Sequence, residues 1–227
     1  VNEYGMQLGP CNYCGFCERY GCLNYSKSSP QTCIMDALKR YENFSYRTHC
    51  EVLKIELAED GKTATGVTYF DEATQEEVFQ PADIVIMAAY SLHNTHLCLL
   101  SGIGQPYDVT TGTGVTGRNY AYQMTGGTTA FYEDVEFNPF VGSGSTAYVI
   151  DDYAINQIDF AAEGFIGGGY INSGQSNGQP IRNLPLPAGV PAWGAGWKQG
   201  VKDWYGHAMG VGLHGSNMAY RDCYLDL

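Results

Sequence analysis

The residues best suited to chemistry are the cysteines near the start of the chain. Four of the eight cysteines, Cys11, Cys14, Cys17 and Cys22, fall within twelve residues at the spacing C-x2-C-x2-C-x4-C. Cysteines two residues apart can turn both sulfurs toward one point, and Gly15 and Gly21 let the backbone fold round it. Thiolates suit iron–sulfur clusters and zinc. Zinc usually takes two paired motifs separated by a longer loop. Three cysteines in immediate succession read more like a ferredoxin-type run. A disulfide staple is the competing reading, weakened because a chain of 227 residues can bury a core without one.

Other candidate groups are weaker. His93 and His96 have a spacing that could share a metal, yet no third ligand is near, so they are expected to be surface or core histidines. Cys33 is expected to be a small buried residue. Gly167-Gly168-Gly169 has neither the Lys-Ser/Thr of a phosphate loop nor a GxGxxG spacing.

The elements that must carry these residues follow from periodicity. Residues 1–30 are rich in Gly, Asn, Ser and Tyr and are expected to be loop. Ser29-Pro30-Gln31-Thr32 opens a helix running through Cys33–Arg40, with Ile34, Leu38 and Tyr41 on one face. Strands are expected within 45–57, Gly66–Phe70 and Glu77–Gln80, with Asp60-Gly61 as a hairpin signal. Ala82–Ala89 is a continuous apolar run, the pattern of a strand buried on both faces. A helix from Ser91 to Leu100 follows, with Gly102 as its C-cap. Residues 105–119 are loop. From Gly126 onward the texture becomes glycine-rich and aromatic, with strands at Thr128–Tyr132 and Gly206–Leu213, a loop over 173–196 and a short helix bracketed by Trp193, Trp197 and Trp204. A boundary near 120–126 divides residues 1–122, of mixed helix and strand, from 123–227, of sheet and loop. The fold class is mixed α/β.

Composition bounds the rest. The chain is globular, with 44% hydrophobic residues and eighteen tyrosines. A net charge of −12 argues against nucleic acid as partner and is compatible with a basic protein such as a cytochrome. No apolar run is long enough to span a bilayer. The chain begins at Val1 without an initiator methionine and is expected to be an internal fragment.

These segments together resemble the glucose–methanol–choline (GMC) oxidoreductases, and within them the bacterial membrane-associated dehydrogenases of sugar acids and sugar alcohols. The carriers are Cys14-Gly15-Phe16-Cys17-Glu18-Arg19-Tyr20-Gly21-Cys22 with Ser29-Pro30-Gln31-Thr32, then Pro81–Ala89, Leu100-Ser101-Gly102-Ile103-Gly104, and Val115-Thr116-Gly117-Arg118-Asn119-Tyr120. The resemblance runs across essentially the whole chain. It implies part of an FAD-binding domain over 1–122 and part of an antiparallel-sheet substrate domain over 123–227. It implies Val52 as an adenine contact, Ala88 and Ala89 where the dinucleotide approaches closely, and Gly117 and Asn119 beside the flavin. It implies hydride transfer from a sugar, sugar acid or polyol to FAD. Electrons then pass through an iron–sulfur cluster on Cys11, Cys14, Cys17 and Cys22, three-iron rather than four-iron, to a multihaem cytochrome c subunit. A small subunit completes the implied complex, which is periplasmic and membrane-associated through its partners. The family's GxGxxG and its catalytic histidine pair are missing from these residues, and neither His207 nor His214 sits in a matching motif. A zinc-stabilised, non-catalytic interaction module is the alternative from another class. A third reading keeps the enzyme and turns Cys11 to Cys22 into disulfides.

Overall fold

The computed structural model describes residues 2–14, 21–138, 148–175 and 184–227. The chain divides into two compact units. One comprises Val1–Ser45 with Gln123–Ser216, the other Tyr46–Tyr122 with Asn217–Leu227.

The second unit is built on an antiparallel meander of β1 (Cys50–Leu57), β2 (Ala64–Asp71) and β3 (Glu76–Pro81), in the order β1-β2-β3. Local chemistry fixes it. Asp60 accepts the Lys62 and Thr63 amides at 2.8 and 2.9 Å, and Gly61 takes φ +63, so the first turn closes where Asp60-Gly61 predicts. Tyr69 is buried opposite Val52, and the Arg47 guanidinium lies over its ring, 5.6 Å from the centroid. Helix α3 (Tyr90–Leu100) packs on β1, where the Ile55 amide donates to Ser101 Oγ at 2.8 Å. The chain end returns to this unit: Leu225 N–H bonds Gly117 C=O at 2.9 Å, Tyr120 N–H bonds Cys223 C=O at 2.7 Å, and Tyr224 meets Tyr107 edge-on at 5.7 Å.

Two expectations need correction here. The apolar run Ala82–Ala89 forms no strand among the described residues. Its last ladder-like bond is Ala82 N–H to Thr65 C=O at 3.0 Å, and beyond it Ile84 and Ile86 are 79% and 83% exposed. Hydrophobicity alone specifies burial, and burial needs a covering layer that this unit does not supply to the segment. The helix expected over Cys33–Arg40 is instead two short helices, α1 (Pro30–Cys33) and α2 (Met35–Leu38). Ser29 and Thr32 form a capping box on α1, and β-branched Ile34, at φ −141, breaks the run.

In the first unit, β4 (Met124–Phe131), β5 (Tyr148–Ile150), β6 (Gly169–Gln175) and β7 (Ala208–Gly215) form an antiparallel sheet in the order β4-β7-β6-β5. A single 3₁₀ turn, Ile155–Gln157, and α4 (Phe160–Glu163) lie between β5 and β6, and α5 (Gly194–Trp204) precedes β7. Phe131 meets Trp204 edge-on at 5.6 Å beside buried Ala208, which sets α5 against one end of the sheet. Strand β6 occupies the start of the stretch expected to be loop over 173–196; residues 176–183 lie outside the described residues. No helix among the described residues is long and apolar enough to cross a membrane.

Candidate functional site

The described residues that flank the cysteine segment are tied to each other. Gly9 N–H donates to Asn24 C=O at 3.0 Å, two residues before Cys11 and two after Cys22. The approach is so close that a Cβ on Gly9 would lie 2.1 Å from the Asn24 oxygen, so only glycine closes the loop this way. Tyr13, between these two residues, and Tyr25, just after Asn24, take left-handed φ of 55 and 54. The Tyr13 amide donates to Cys11 Sγ at 3.4 Å, and the Ser26 amide to Cys22 Sγ at 3.3 Å.

At Cys22 the amide donors favour the thiolate. The Ser26 amide first, then that of Lys27, lowers the Cys22 thiol to about 7. Cys33, in α1, is also lowered, chiefly by the Thr32 hydroxyl, whose Oγ1 lies 3.7 Å from its sulfur. It is half-buried rather than fully so. Cys11, Cys14 and Cys22 are all free thiols, which leaves the disulfide reading without support among the described residues; Cys17 lies outside them. Among the described residues no three His, Cys, Asp or Glu side chains group as a metal site. The donor set nonetheless fits a soft metal: thiolates with amide N–H groups turned onto sulfur. His93 and His96 are exposed on α3 and belong to no such group.

A pH profile tests the loop. In reduced, metal-free protein, alkylation of Cys22 by iodoacetamide should show a midpoint near pH 7, read by peptide mass spectrometry. Cys98, whose thiol burial pushes up, should react only at higher pH. The folded thiol of Cys22 lies below its unfolded value. The stability it contributes is therefore present above the ordinary thiol range and is lost as pH falls through about 7. A Cys22 midpoint at the ordinary value near ~8.5 would show that the amides do not act on the sulfur.

The dinucleotide candidates all lie in the second unit. Val52 is in edge strand β1, 44% exposed, beside a register shift between Val52 and Lys54. An edge strand leaves alternate amides and carbonyls free for a planar partner. Ala88 and Ala89 are exposed at the entry to α3, whose first turn has no side-chain cap. Asn94 fixes that entry, accepting the Ala89 amide at 2.9 Å and donating to Met87 C=O at 3.4 Å. Gly117, at φ +89, is required first by the protein itself, because a Cβ there would lie 2.1 Å from the Leu225 carbonyl oxygen. Asn119, at φ +59, has a buried Oδ1 with no partner, an acceptor still lacking its donor. A free strand edge, small residues at an uncapped helix entry and an orphaned acceptor fit a dinucleotide.

Tyr90, Tyr120 and Tyr122 escaped the sequence reading. Tyr90 begins α3 directly after Ala89, and its phenol is raised above the ordinary value, first by desolvation and then by the neighbouring Tyr122. Only the i, i+2 repeat of Tyr120 and Tyr122 hinted at a common face. In the first unit, His207 Nδ1 lies 3.1 Å from Tyr132 C=O, and the His214 ring stacks on Tyr170 at 5.1 Å, its buried Nδ1 without a hydrogen-bond partner among the described residues.

The chain is 45% identical over 228 residues to the gluconate 2-dehydrogenase flavoprotein of Pantoea cypripedii, an alignment covering 100% of this chain and 37% of that protein. The chain thus spans well under half the length of the relative it matches. Residues 3–125 match the family model of GMC oxidoreductases, and the chain belongs to the GMC oxidoreductase family.

Proposed function

We propose that this chain is part of an FAD-dependent dehydrogenase that oxidises a CH–OH group of a sugar, sugar acid or polyol. In this reading the electrons leave through an iron–sulfur cluster to a cytochrome c subunit at the periplasmic side of a membrane, in a complex that also contains a small subunit. The observation that carries it is the tied cysteine loop, with amides turned onto Cys11 and Cys22, inside a chain of GMC family. The relative's name supports a sugar acid as the substrate class.

Removing hydrogen from a carbinol takes a hydride from carbon and a proton from oxygen. FAD, when bound, supplies the hydride acceptor. This chain's residues serve the nucleotide: Val52 offers backbone edge to adenine, Ala88 and Ala89 leave room for close approach, and Gly117 and Asn119 shape the turn beside the flavin. The base that takes the hydroxyl proton is not among these residues. Cys11, Cys14, Cys17 and Cys22 would hold the cluster, three-iron rather than four-iron, which carries electrons singly from a two-electron donor.

Anaerobic purification of the intact polypeptide, with iron, sulfide, zinc and flavin assays and an electron paramagnetic resonance spectrum, tests this. Near-stoichiometric iron and sulfide, bound FAD and a signal that changes on reduction are expected. Zinc without iron or flavin would favour the structural module. Flavin without metal would leave the enzyme class and remove the relay.

A further inference from the structure

Between Cys22 and Cys33 the chain carries four aliphatic hydroxyls, on Ser26, Ser28, Ser29 and Thr32. Three of them have an evident place. The Ser29 and Thr32 hydroxyls lie 3.1 Å apart in the capping box of α1, and Thr32 also donates to Lys27 C=O at 3.0 Å. Ser28 is exposed, where water can serve its hydroxyl. Ser26 differs. Its hydroxyl oxygen is buried and has no hydrogen-bond partner among the described residues. Burying a hydroxyl without a partner costs its desolvation, so a group in this state points to a partner outside the protein atoms.

The position of Ser26 narrows what that partner is. Tyr25 N–H bonds Cys22 C=O at 3.2 Å, with Tyr25 left-handed at φ 54. That turn brings the Ser26 amide onto Cys22 Sγ at 3.3 Å. On the other side, the next carbonyl, that of Lys27, is held by Thr32. The serine is thus braced from both directions, with its backbone already addressed to a cysteine sulfur. Amide nitrogen and hydroxyl oxygen of one serine are separated by only two carbons, so the orphaned hydroxyl lies beside whatever Cys22 holds. Thiolates and inorganic sulfide accept hydrogen bonds and offer none. A hydroxyl facing them has one role open to it, that of donor.

We propose that the Ser26 hydroxyl donates a hydrogen bond to sulfur of the iron–sulfur cluster and thereby raises its reduction potential. The inference rests on the cluster reading and adds a residue to it. One-electron reduction makes the sulfurs more negative, and a donor on a negative acceptor forms the stronger bond. Hydrogen bonds to the sulfurs are among the features that set the potential of such clusters. Ser26 keeps its proton throughout: it stabilises the reduced form as electrons arrive one at a time from the two-electron flavin and leave one at a time to the cytochrome.

The test uses the intact polypeptide, purified anaerobically, as wild type, Ser26→Ala, Ser26→Thr and Ser28→Ala. The electron paramagnetic resonance signal is followed at controlled potentials, beside iron, sulfide and flavin assays. Poised at the wild-type midpoint, Ser26→Ala should show a ratio of reduced to oxidised cluster about tenfold lower, a midpoint lower by about 59 mV for one electron. Ser26→Thr keeps the hydroxyl and should stay near wild type, as should Ser28→Ala. Iron, sulfide and flavin contents should match wild type in all three, which a merely structural role for Ser26 would not allow. A wild-type potential in Ser26→Ala, a shift of the same size in Ser26→Thr or Ser28→Ala, or loss of iron from Ser26→Ala overturns the inference alone. A wild-type protein that holds no iron overturns the cluster reading, and the inference with it.

Discussion

If the cysteine segment holds the proposed cluster, replacing Gly9 by alanine is expected to strip most of the iron without touching a cysteine. The Gly9 amide closes the cysteine loop on Asn24 at 3.0 Å, and the added methyl would lie 2.1 Å from a backbone oxygen. A backbone carbonyl cannot swing aside as a side-chain tip can, so the contact must open. Cys11 and Cys22 sit two residues inside that contact on either arm, and opening it separates them. Metal affinity depends on groups that orient the ligands nearly as much as on the ligands, with losses of 10–100-fold on their removal. An iron content lower by about tenfold is therefore the expected result for Gly9→Ala. Cys22→Ser is the direct comparison, since it removes the sulfur that the Ser26 amide addresses. Both variants should keep bound FAD and substrate-driven reduction of a flavin-reactive dye, while transfer to a cytochrome is lost. Full iron and sulfide in Gly9→Ala would show that the Gly9–Asn24 closure does not shape the cluster loop. Full iron in Cys22→Ser would remove Cys22 from the ligand set.

How far the sequence disclosed these features depended on the range of the signals. The β1–β3 meander was legible because alternation and Asp60-Gly61 are local, and its register follows from one turn. The Ala82–Ala89 run was legible as apolar, but its composition says nothing of which layer would cover it. Strand β6 was hidden by its own glycines. Gly169 reads as flexibility, yet a Cβ there would lie 2.7 Å from the His214 carbonyl oxygen, so it serves close strand approach. That partner is far along the chain, and no window of sequence contains both. The cysteines were legible from spacing, whereas the amides on their sulfurs depend on Tyr13 and Tyr25 adopting left-handed turns that tyrosine rarely signals.

Gly66→Ala is the substitution expected to weaken the meander most directly, by about 3 kcal/mol, from the crowding of a methyl in a packed ladder together with an unfavourable φ. Gly66 lies in central strand β2, paired with Glu56 on one side and Pro81 on the other. Its φ is +155, and a Cβ would lie 2.2 Å from Gln80 O, 2.8 Å from the Phe79 ring and 2.9 Å from Pro81 Cα. The Phe79 ring can move. The carbonyl and the proline cannot move without shifting β3. The ladder with β1 shifts register between Glu56 and Leu57 beside this residue, while its pairing with β3 is regular and holds the proline and the carbonyl in place. Displacement of β3 also reaches the proposed nucleotide segment, because the chain passes directly from Pro81 into the residues leading to Ala88 and Ala89. Gly61→Ala provides the control. Gly61 is also left-handed, at φ +63, but nothing lies within 4 Å of its Cβ position. It should lose only the backbone preference, about 1 kcal/mol. Urea unfolding of both variants measures the difference, and FAD titration shows whether it reaches the helix entry. If Gly66→Ala unfolds within about 1 kcal/mol of Gly61→Ala, β3 yields to the methyl, and the Ala82–Ala89 segment is not held in place by the meander.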